Sequence, residues 1–269
     1  MIHRAMSRRV EVHLLPILFD PSHLAGGLAV VIDVLQASTT IATALSCGAT
    51  HVIPCLNIED AQQRVLESDE NPRPLLGGER QGTAIKGFDL DNSPENYTPD
   101  RVGGRSIVFT TTNGTRALIR CVEARRVLIG AFVNFHAILA ALINENQAVH
   151  LVCAGTDGAI AAEDVLFAGA VCRGLTAAGL DLAPHDAGRL ALEFFDANAG
   201  NAGDFFAALT CGRGADNLEQ LGLSRDIRLA ATWDRTRILP EYRARDHRIV
   251  AAEDSAAPEG NWKFTPPTL

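Results

Sequence analysis

Aromatic side chains and positive charge are both scarce in this chain. Only 6% of its 269 residues are aromatic, and 24 Lys and Arg face 32 Asp and Glu, for a formal net charge of −8 at pH 7. A nucleic-acid binder needs a basic surface for the phosphate backbone, and single-strand binders also need aromatic platforms for the bases. We therefore expect no nucleic-acid partner. A small anionic substrate stays open, because it needs only a local group of hydrogen-bond donors.

Long apolar runs and paired cysteines are missing as well. No stretch approaches the roughly 18 apolar residues of a membrane-spanning helix, and the N-terminal segment lacks the apolar core of a signal peptide. The six cysteines include no Cys-x-x-Cys pair, which argues against a zinc knuckle or a redox pair. We expect reduced, mostly buried thiols in a cytoplasmic protein that has no membrane partner.

The signatures of several common enzymes are absent too. The sequence has no Gly-x-Gly-x-x-Gly after a strand, no Walker-type Gly-Lys-Ser/Thr and no Gly-x-Ser-x-Gly. Leu35 stands two residues after Asp33, so the paired aspartates of haloacid-dehalogenase-type phosphatases are absent at this strand. The eight histidines are scattered without metal-ligand spacing, and we interpret His136 and His150 as structural.

Strand and helix patterns alternate along the first two thirds of the chain. With 47% apolar and 21% charged residues, the composition is that of a globular protein. A continuous apolar, β-branched run such as residues 28–35 (LAVVIDVL) is typical of a strand covered on both faces. The alternation predicts an α/β fold, layered α/β/α with a largely parallel or mixed sheet. Strands are predicted at residues 28–35, 51–55, 106–111, 126–130 and 148–154.

A segment of about 30 residues interrupts this alternation. Residues 72–101 are rich in Gly, Pro, Asn and Asp, with a short strand expected near residues 75–76. Long loops inside compact domains are usually functional or disordered, and the dense charges of this one favour a functional loop. Later in the chain, residues 237–239 and 248–250 are predicted as short strands.

The domain organisation follows from where the pattern changes. Beyond residue 179 the pattern becomes more helical. We predict a single domain over residues 1–255, with two subdomains divided near residue 180 as the alternative. Residues 256–269 are rich in Pro and small side chains and are predicted to form an exposed tail. A homodimer is the base-rate expectation for assembly.

Three predicted strand ends carry unusual side chains, and ligands of open α/β sheets bind at such ends. The first is Asp33, near the end of a buried strand and followed by Ser38 and Thr39. A buried carboxylate is costly unless it is paired, hydrogen-bonded or bound to a metal. Asp33 is therefore either a Mg²⁺ ligand or acid/base group, or a carboxylate that caps the following helix.

The second strand end is a turn crowded with hydroxyl groups. Residues 110–115 (TTTNGT) precede Arg116 where a helix is expected to begin. Free N–H groups at a helix start attract anions, and an Arg can grip phosphate or sulfonate through two donors. One polar residue is enough to cap a helix, so five of them favour an anion-binding turn over a simple cap.

The third strand end is the segment 153–158 (CAGTDG), which Glu163 and Asp164 follow at a helix start. Its glycines would let the backbone approach a ligand closely. The two acids either complement the helix dipole or supply oxygen atoms to Mg²⁺. Cys153 has no nearby His in the sequence, so we interpret it as a buried thiol rather than a nucleophile.

Five motifs in this order resemble the 2-phosphosulfolactate phosphatase (ComB) family. The motifs are DVL at 33–35 with ASTT at 37–40, GGER at 77–80, GFDL at 87–90 with NSP at 92–94, TTTNGTR at 110–116, and CAG at 153–155 with EDV at 163–165. The resemblance covers roughly residues 28–174, and the C-terminal third is similar only loosely. It implies an α/β fold particular to that family and a Mg²⁺-dependent hydrolase that converts 2-phospho-3-sulfolactate to sulfolactate and phosphate.

The resemblance also implies roles for individual residues. Asp33, Arg80 and Arg116 would act in catalysis, while Asp33, Glu163 and Asp164 would bind Mg²⁺. Hydrolysis of a phosphate monoester needs such neutralisation of charge on the transferring oxygens. The nucleophile is a metal-activated water or, alternatively, Asp33 itself. The residues expected to bind substrate are Ser38, Thr39, Glu79, Lys86, Asn92, Thr111, Thr112, Asn113, Gly114 and Thr115.

One residue departs from the family pattern. The family commonly reads Asp-Val-Leu-Arg-Ala-Ser, and this chain has Gln36 at the Arg position. Gln keeps hydrogen-bonding capacity but loses the charge that would grip a phosphate or sulfonate. Two alternatives to the family activity follow. One is a phosphatase for another small phosphorylated 2-hydroxy acid, and the other is a non-catalytic binder of anionic metabolites.

Overall fold

A computed structural model describes residues 9–180 and 186–252 of the chain. Helices pack on a mixed sheet of ten strands, which confirms the predicted layered α/β architecture. The strands are β1 (Val10–His13), β2 (Leu28–Ile32), β3 (His51–Cys55), β4 (Leu75–Arg80), β5 (Thr83–Ala84), β6 (Ser106–Thr110), β7 (Arg126–Gly130), β8 (Val149–Cys153), β9 (Pro240–Arg243) and β10 (Arg248–Ala251). The helices are α1 (Ala37–Ser46), α2 (Ile58–Leu66), α3 (Pro99–Val102), α4 (Gly114–Arg120), α5 (Phe135–Asn144), α6 (Ala162–Ala177), α7 (Asp186–Asn198), α8 (Ala202–Thr210), α9 (Arg213–Gln220) and α10 (Ser224–Ala230).

The sheet consists of two parallel blocks joined by a hairpin. In one block β1, β8, β2 and β7 run parallel in that order, and in the other β3, β6 and β4 do. The antiparallel hairpin of β9 and β10 lies between β7 and β3, and β5 pairs with β4 at the far edge. The sheet is thus parallel within each block and antiparallel at the hairpin and at this edge.

Both faces of β2 are covered, as its uninterrupted apolar run predicts. Val30 and Ile32 belong to an apolar cluster that includes Phe167 of α6. The intervening Val31 belongs to a second cluster, with Ile41 of α1. Complete burial of one such side chain stabilises a fold by about 1.5–3 kcal/mol relative to exposure. The strand end that carries the first candidate acid is therefore held firmly from both sides.

The predicted long loop contains a buried strand, of which the glycine-rich sequence predicts only the part near residues 75–76. Residues Leu75–Arg80 form β4, which pairs in parallel with β6. Gly78 has φ +130°, and a Cβ atom there would lie 1.9 Å from the carbonyl oxygen of Thr110. This glycine allows the close approach of β4 to β6 instead of forming a turn. As a result Glu79 reaches the carboxyl end of the sheet.

Two strands differ from the sequence prediction. The strand predicted at residues 237–239 is wrong, because the strand of this region is β9, which begins at Pro240. Proline has no N–H to donate, but it is tolerated at the first residue of a strand. The N-terminal edge strand β1 was not predicted at all, since its four residues are too few for a clear period.

Other predictions concern cysteines, membranes and the chain ends. Cys55, Cys121, Cys153 and Cys172 are buried free thiols, as expected, whereas Cys211 is exposed. Within the described residues, no helix combines the length and the apolar character needed to cross a membrane. The predicted tail, 256–269, and residues 181–185 beside the predicted subdomain break lie outside the described residues. The single domain stays a prediction.

Candidate active site

A polar cleft of about 420 Å³ opens where strands of both parallel blocks end. Its lining comes from α9 and from the segments at the ends of β2, β4, β6 and β8. Asp33 stands just after β2, Glu79 near the end of β4, and Thr112 and Asn113 after β6. Because α/β sheets bind their ligands at such strand ends, this cleft is the candidate active site.

Asp33 lines the cleft from a buried position, with 8% of its surface exposed. Its backbone N–H donates to Ser38 Oγ at 3.0 Å, and its carboxylate accepts the N–H of Gly114. A Cβ atom at Gly114 would lie 2.7 Å from Asp33 Oδ2, so glycine is what lets the turn approach this carboxylate. Burial, and then the negative charges of Asp164 and Glu79, raise the pKa of Asp33 well above its usual value.

Glu79 is the second carboxylate of the cleft lining, and backbone amides hold it in place. Its Oε1 accepts the N–H of Thr112 at 2.7 Å. Its Oε2 accepts the N–H of Gly82 at 2.7 Å and the hydroxyl of Thr112 at 3.2 Å. Hydrogen bonds to an ionised carboxylate are stronger than neutral ones, so they fix its orientation. Glu79 thus joins the turn after β4 to the turn after β6.

The hydroxyl-rich turn after β6 has its N–H groups occupied by side chains of the protein. Thr111 and Thr115 exchange N–H···Oγ1 bonds at 3.4 and 3.3 Å. The N–H groups of residues 112 and 114 donate to the carboxylates of Glu79 and Asp33. The sequence predicts an anion at this turn, and the anions found there are these two carboxylates. The turn therefore positions acids, and its direct contact with a substrate stays a prediction.

Glu163 and Asp164 start helix α6 and are almost fully buried. Asp164 accepts the N–H of Val34 at 2.9 Å and that of Gly155 at 3.0 Å, which ties the end of β2 to the end of β8. Burial, together with the neighbouring Glu163, raises the pKa of Asp164 to about 8. Burial raises the pKa of Glu163 to about 7, and its Oε2 has no hydrogen-bond partner among the described residues.

Negative charge is not balanced by positive charge around this cleft. None of its described lining residues is Lys or Arg, whereas Asp33 and Glu79 both line it. Asn92 lines it too, and the buried Oδ1 of Asn92 lacks a partner within the described part of the chain. Oxygen donors of this kind fit Mg²⁺, which takes one or two carboxylates and keeps several waters. We call this site the acid cleft.

Known proteins share the sequence that builds the acid cleft. The family model of 2-phosphosulpholactate phosphatase matches residues 15–245. The chain is 41% identical over 219 residues to the probable 2-phosphosulfolactate phosphatase of Symbiobacterium thermophilum. That alignment covers 81% of this chain and 92% of the relative. It is 40% identical over 234 residues to the probable 2-phosphosulfolactate phosphatase of Deinococcus radiodurans. That alignment covers 86% of this chain and 92% of the relative. The chain belongs to the 2-phosphosulfolactate phosphatase family.

The family match confirms the resemblance of the motifs and extends it. The motifs cover roughly residues 28–174, whereas the match continues to residue 245 and so includes helices α7 to α10. A third relative, from Caldanaerobacter subterraneus, is 37% identical over 214 residues and also bears the name probable 2-phosphosulfolactate phosphatase. The C-terminal helices are therefore part of the family's chain, although their sequence carries no recognisable motif.

Of the three predicted metal ligands, only Asp33 lines the acid cleft. Both carboxylate oxygens of Asp164 accept backbone N–H groups, and Glu163 packs against Gly214, where a Cβ atom would lie 2.3 Å from Glu163 Oε1. Within the described ranges, the three acids are not a group whose ligand atoms all lie within 4.8 Å of one another. The structure does not gather the three acids into one ligand group, and the binding of Mg²⁺ by Glu163 and Asp164 stays a prediction.

Two predicted substrate-binding hydroxyls serve the backbone of the turn between β2 and α1. Ser38 Oγ accepts the N–H of Asp33 at 3.0 Å, and Thr39 Oγ1 donates to the carbonyl of Val34 at 2.9 Å. Both side chains are buried, and neither lines the cleft. They therefore orient Asp33.

The basic residues predicted to contact substrate also lie outside the cleft lining. Arg80 donates to the carbonyl of Leu56 at 2.9 Å and to Thr110 Oγ1 at 2.6 Å. Alternation along β4 explains this placement, because the preceding residue of the strand faces the cleft. Arg116 and Lys86 are exposed, and neither contributes to the lining.

Gln36, the departure from the family pattern, binds a buried aspartate. Its Nε2 donates to Asp226 Oδ2, and the hydroxyl of Ser93 donates to Asp226 Oδ1 at 2.7 Å. Burial raises the pKa of Asp226, and these two hydrogen bonds oppose that shift. Asp226 does not follow from the sequence, because it lies 190 residues from Gln36, in a short helix without a motif. The side chain at position 36 thus links the edge of the cleft to α10.

Proposed function

We propose that this protein is a Mg²⁺-dependent phosphatase that hydrolyses 2-phosphosulfolactate to sulfolactate and phosphate. The observation that carries the proposal is the acid cleft, which lies at the strand ends of a chain in this family. Relatives at 41% and 40% identity bear the name of probable 2-phosphosulfolactate phosphatases. Family membership supports the reaction, and the donor set of the cleft supports the cation.

The charge of the substrate explains why this cleft needs a cation. 2-Phosphosulfolactate carries a phosphate, a sulfonate and a carboxylate, all of which are anionic near neutral pH. Asp33 and Glu79 repel such a molecule, and the described lining residues include no Lys or Arg to offset them. Mg²⁺ held by Asp33 would offset the negative charge of these carboxylates and act as a Lewis acid on the phosphoryl oxygens.

In the proposed reaction, the residues of the chain orient a water molecule and the phosphate ester. Hydrolysis joins the oxygen of a water molecule to phosphorus and breaks the bond between phosphorus and the ester oxygen. The ester oxygen then leaves as the hydroxyl group of sulfolactate, and the proton that it gains balances the proton that water loses. We assign the attack to water because the Asp33 carboxylate is buried and already accepts the N–H of Gly114.

The role of Glu79 in this proposal is to hold the loops that frame the cleft. It accepts N–H groups from Gly82 and Thr112, which follow two different strands. Asn92 offers its unpartnered Oδ1 to the cation or to a water of its shell. Correct placement of the reacting groups alone can lower a barrier by several kcal/mol, so these positioning contacts matter for the rate.

The test is phosphate release by purified protein with Mg²⁺. The substrates are 2-phosphosulfolactate, phospholactate and phosphoglycolate, and EDTA is the control. We expect turnover that is selective for the sulfonated substrate and abolished by EDTA. Acid quenching during turnover should trap no phosphorylated protein, whereas a trapped phosphoprotein would assign the attack to Asp33.

Other outcomes of the same assay would replace the proposal with one of its alternatives. Turnover of phospholactate in preference to 2-phosphosulfolactate would keep the chemistry and change the substrate. Absence of turnover together with tight binding of 2-phosphosulfolactate would make the protein a binder of anionic metabolites. Turnover that persists in EDTA would remove the metal from the mechanism.

A further inference from the structure

A second group of potential metal ligands lies on the edge of the sheet, away from the acid cleft. Glu11 and His13 are alternate residues of β1, so their side chains lie on the same face of the sheet. β1 pairs in parallel with β8, and the register places Glu11 directly beside His150. None of the three residues lines the acid cleft. We call Glu11, His13 and His150 the imidazole cluster.

The potential ligand atoms of the imidazole cluster lie close to one another. His13 Nε2 lies 3.2 Å from His150 Nδ1, and Glu11 Oε2 lies 3.7 Å from the same Nδ1. One atom from each side chain lies within 4.8 Å of the other two. The two imidazole rings are stacked, with centroids 5.4 Å apart and planes inclined by 24°. Nitrogen and oxygen atoms of three side chains thus lie close enough together to share one metal ion.

The spacing suits a tetrahedral metal. Zinc–ligand distances of about 2.0–2.1 Å place neighbouring ligand atoms of a tetrahedron roughly 3.3–3.4 Å apart. The observed 3.2 and 3.7 Å lie on either side of that length. An octahedral ion with bonds of about 2.1 Å would bring neighbouring ligands to roughly 3.0 Å, which is shorter than both distances. Two imidazoles and one carboxylate are also typical zinc ligands and poor Mg²⁺ ligands.

The surroundings bury the His150 ring and shield the cluster from solvent. Only 3% of its surface is exposed, and a Cβ atom at Gly27 would lie 2.9 Å from its ring. On the other side of the cluster, the ring of Phe19 lies 4.4 Å from that of His13 and shields it. The cluster is therefore a shielded site with one carboxylate to balance the metal's charge.

We propose that Glu11, His13 and His150 bind one Zn²⁺ ion, with water at the fourth position. The metal would tie the edge strand β1 to β8 through ligands on both strands. Glu11 and His13 precede residues 15–245, which match the family model, so the site does not follow from membership of the family. It also does not depend on the phosphatase proposal, because the two sites share no residue.

The competing explanation is a metal-free hydrogen-bond network. His13 and His150 could share one proton between their nitrogens, with Glu11 nearby as an acceptor. Such a network would explain the short N···N distance without any ion. The two explanations differ in one property, since only the first predicts a saturable zinc affinity that each of the three ligands supports.

The experiment measures zinc binding to the full chain after removal of any affinity tag. The protein is stripped with a chelator, and Zn²⁺ is titrated in competition with a chromophoric chelator. We expect one equivalent to bind, and the visible spectrum of the Co²⁺ form should have the intense bands of a tetrahedral site. The substitutions His13→Ala and Glu11→Gln should each weaken Zn²⁺ binding on the order of tenfold to a hundredfold or more.

The control variant is His247→Asn, which removes an exposed histidine far along the sequence and should leave the zinc affinity unchanged. Both His13 and Glu11 are partly exposed, so their variants retain the fold more readily than a change at the buried His150. Circular dichroism and thermal unfolding of each variant check this. The proposal is wrong if the folded variants bind Zn²⁺ as tightly as the parent, or if Co²⁺ gives the weak spectrum of an octahedral site.

Discussion

The acid cleft and the imidazole cluster lie on one sheet but differ in donor chemistry and in assembly. The cleft gathers carboxylates from strand ends, and backbone N–H groups of the adjoining turns hold Asp33 and Glu79 there. The cluster gathers imidazoles from neighbouring positions on two paired strands. Oxygen donors favour hard cations such as Mg²⁺, and imidazoles favour ions such as Zn²⁺. We therefore propose different ions for the two regions of the sheet, according to the place where the ligands meet.

The two regions also differ in how they relate to the family. The acid cleft lies within residues 15–245, which match the family model, and its acids belong to motifs shared with the family. Glu11 and His13 lie before that segment. A site at converging strand ends needs loops of definite shape, whereas a site across paired strands needs only the right residues in register. The second kind is easier to gain or lose without changing the fold.

The largest expected effect separates the two regions completely. Asp33→Asn removes one of the carboxylates that line the cleft and should lower Mg²⁺-dependent phosphate release by about a hundredfold or more. Zinc binding by the imidazole cluster should not change. Steady-state phosphate release and the zinc titration measure the two properties on one preparation. Asp100→Asn, at an exposed position of α3, is the matched control. Parent-like release by Asp33→Asn would remove Asp33 from the mechanism.

A smaller effect is expected from the residue that positions the turns of the cleft. Glu79→Gln replaces one acceptor oxygen by an NH₂ group, which then faces the N–H of Gly82 or of Thr112. Leaving a buried donor without its acceptor costs about 1–3 kcal/mol. We expect kcat/KM to fall about tenfold to a hundredfold, with a lower urea midpoint.

The control for this variant is Glu95→Gln, at an exposed residue whose nearest basic group is 4.0 Å away. Exposed ion pairs contribute little to stability, so this change should be close to neutral. Glu79 would have no role in positioning these turns if its variant had the activity and urea midpoint of the control.

The two regions should titrate in opposite directions. The pKa of Asp164 is raised from 3.8 to about 8, so the metal-free native state binds more protons than the unfolded chain across that window. Its free energy of unfolding should therefore fall as pH rises from about 4 to 8, by on the order of a few kcal/mol. The pKa of His150 is lowered from 6.5, so its contribution to stability is lost as pH falls below that value. Urea unfolding in EDTA at a series of pH values measures both losses of stability, which we call the high-pH limb and the low-pH limb.

Two variants and one ion assign these limbs to their regions. Asp164→Asn should flatten the loss at high pH, and His150→Gln should flatten the loss at low pH. Mg²⁺ favours ionised carboxylates, so it should restore stability at high pH and leave the low-pH limb unchanged. A high-pH limb that Asp164→Asn leaves intact would mean that other groups control it.

The sequence predicts most of the fold because local patterns decide it. The strand at Arg126–Gly130 has the predicted bounds, and Asn57 caps α2 through the N–H of Asp60, as its position suggests. The sequence predicts only a short strand near residues 75–76, and tertiary packing extends it into the glycine-containing strand β4. Glycine is needed at position 78 because the backbone of β6 lies so close to it, and no local sequence pattern reveals this approach.

The sequence also locates the acids of the cleft but not their partners. Asp33 and Glu79 follow from motifs, yet the use of N–H groups to bind these acids depends on how the turns meet in space. The imidazole cluster could not be predicted from the sequence, for a similar reason. His13 and His150 are 137 residues apart, and only the pairing of β1 with β8 makes them neighbours.

The smallest expected effect concerns position 36, which differs from the family pattern. Gln36 faces Asp226, so the guanidinium of Gln36→Arg should pair with that buried carboxylate and favour its ionised form. Because the new charge would be neutralised there, phosphate release should change by no more than a few-fold. Asp226→Asn in the Gln36→Arg background releases the guanidinium and should alter the KM for 2-phosphosulfolactate more than kcat. A large gain in phosphate release by Gln36→Arg alone would mean that a charge at this position reaches the substrate despite Asp226.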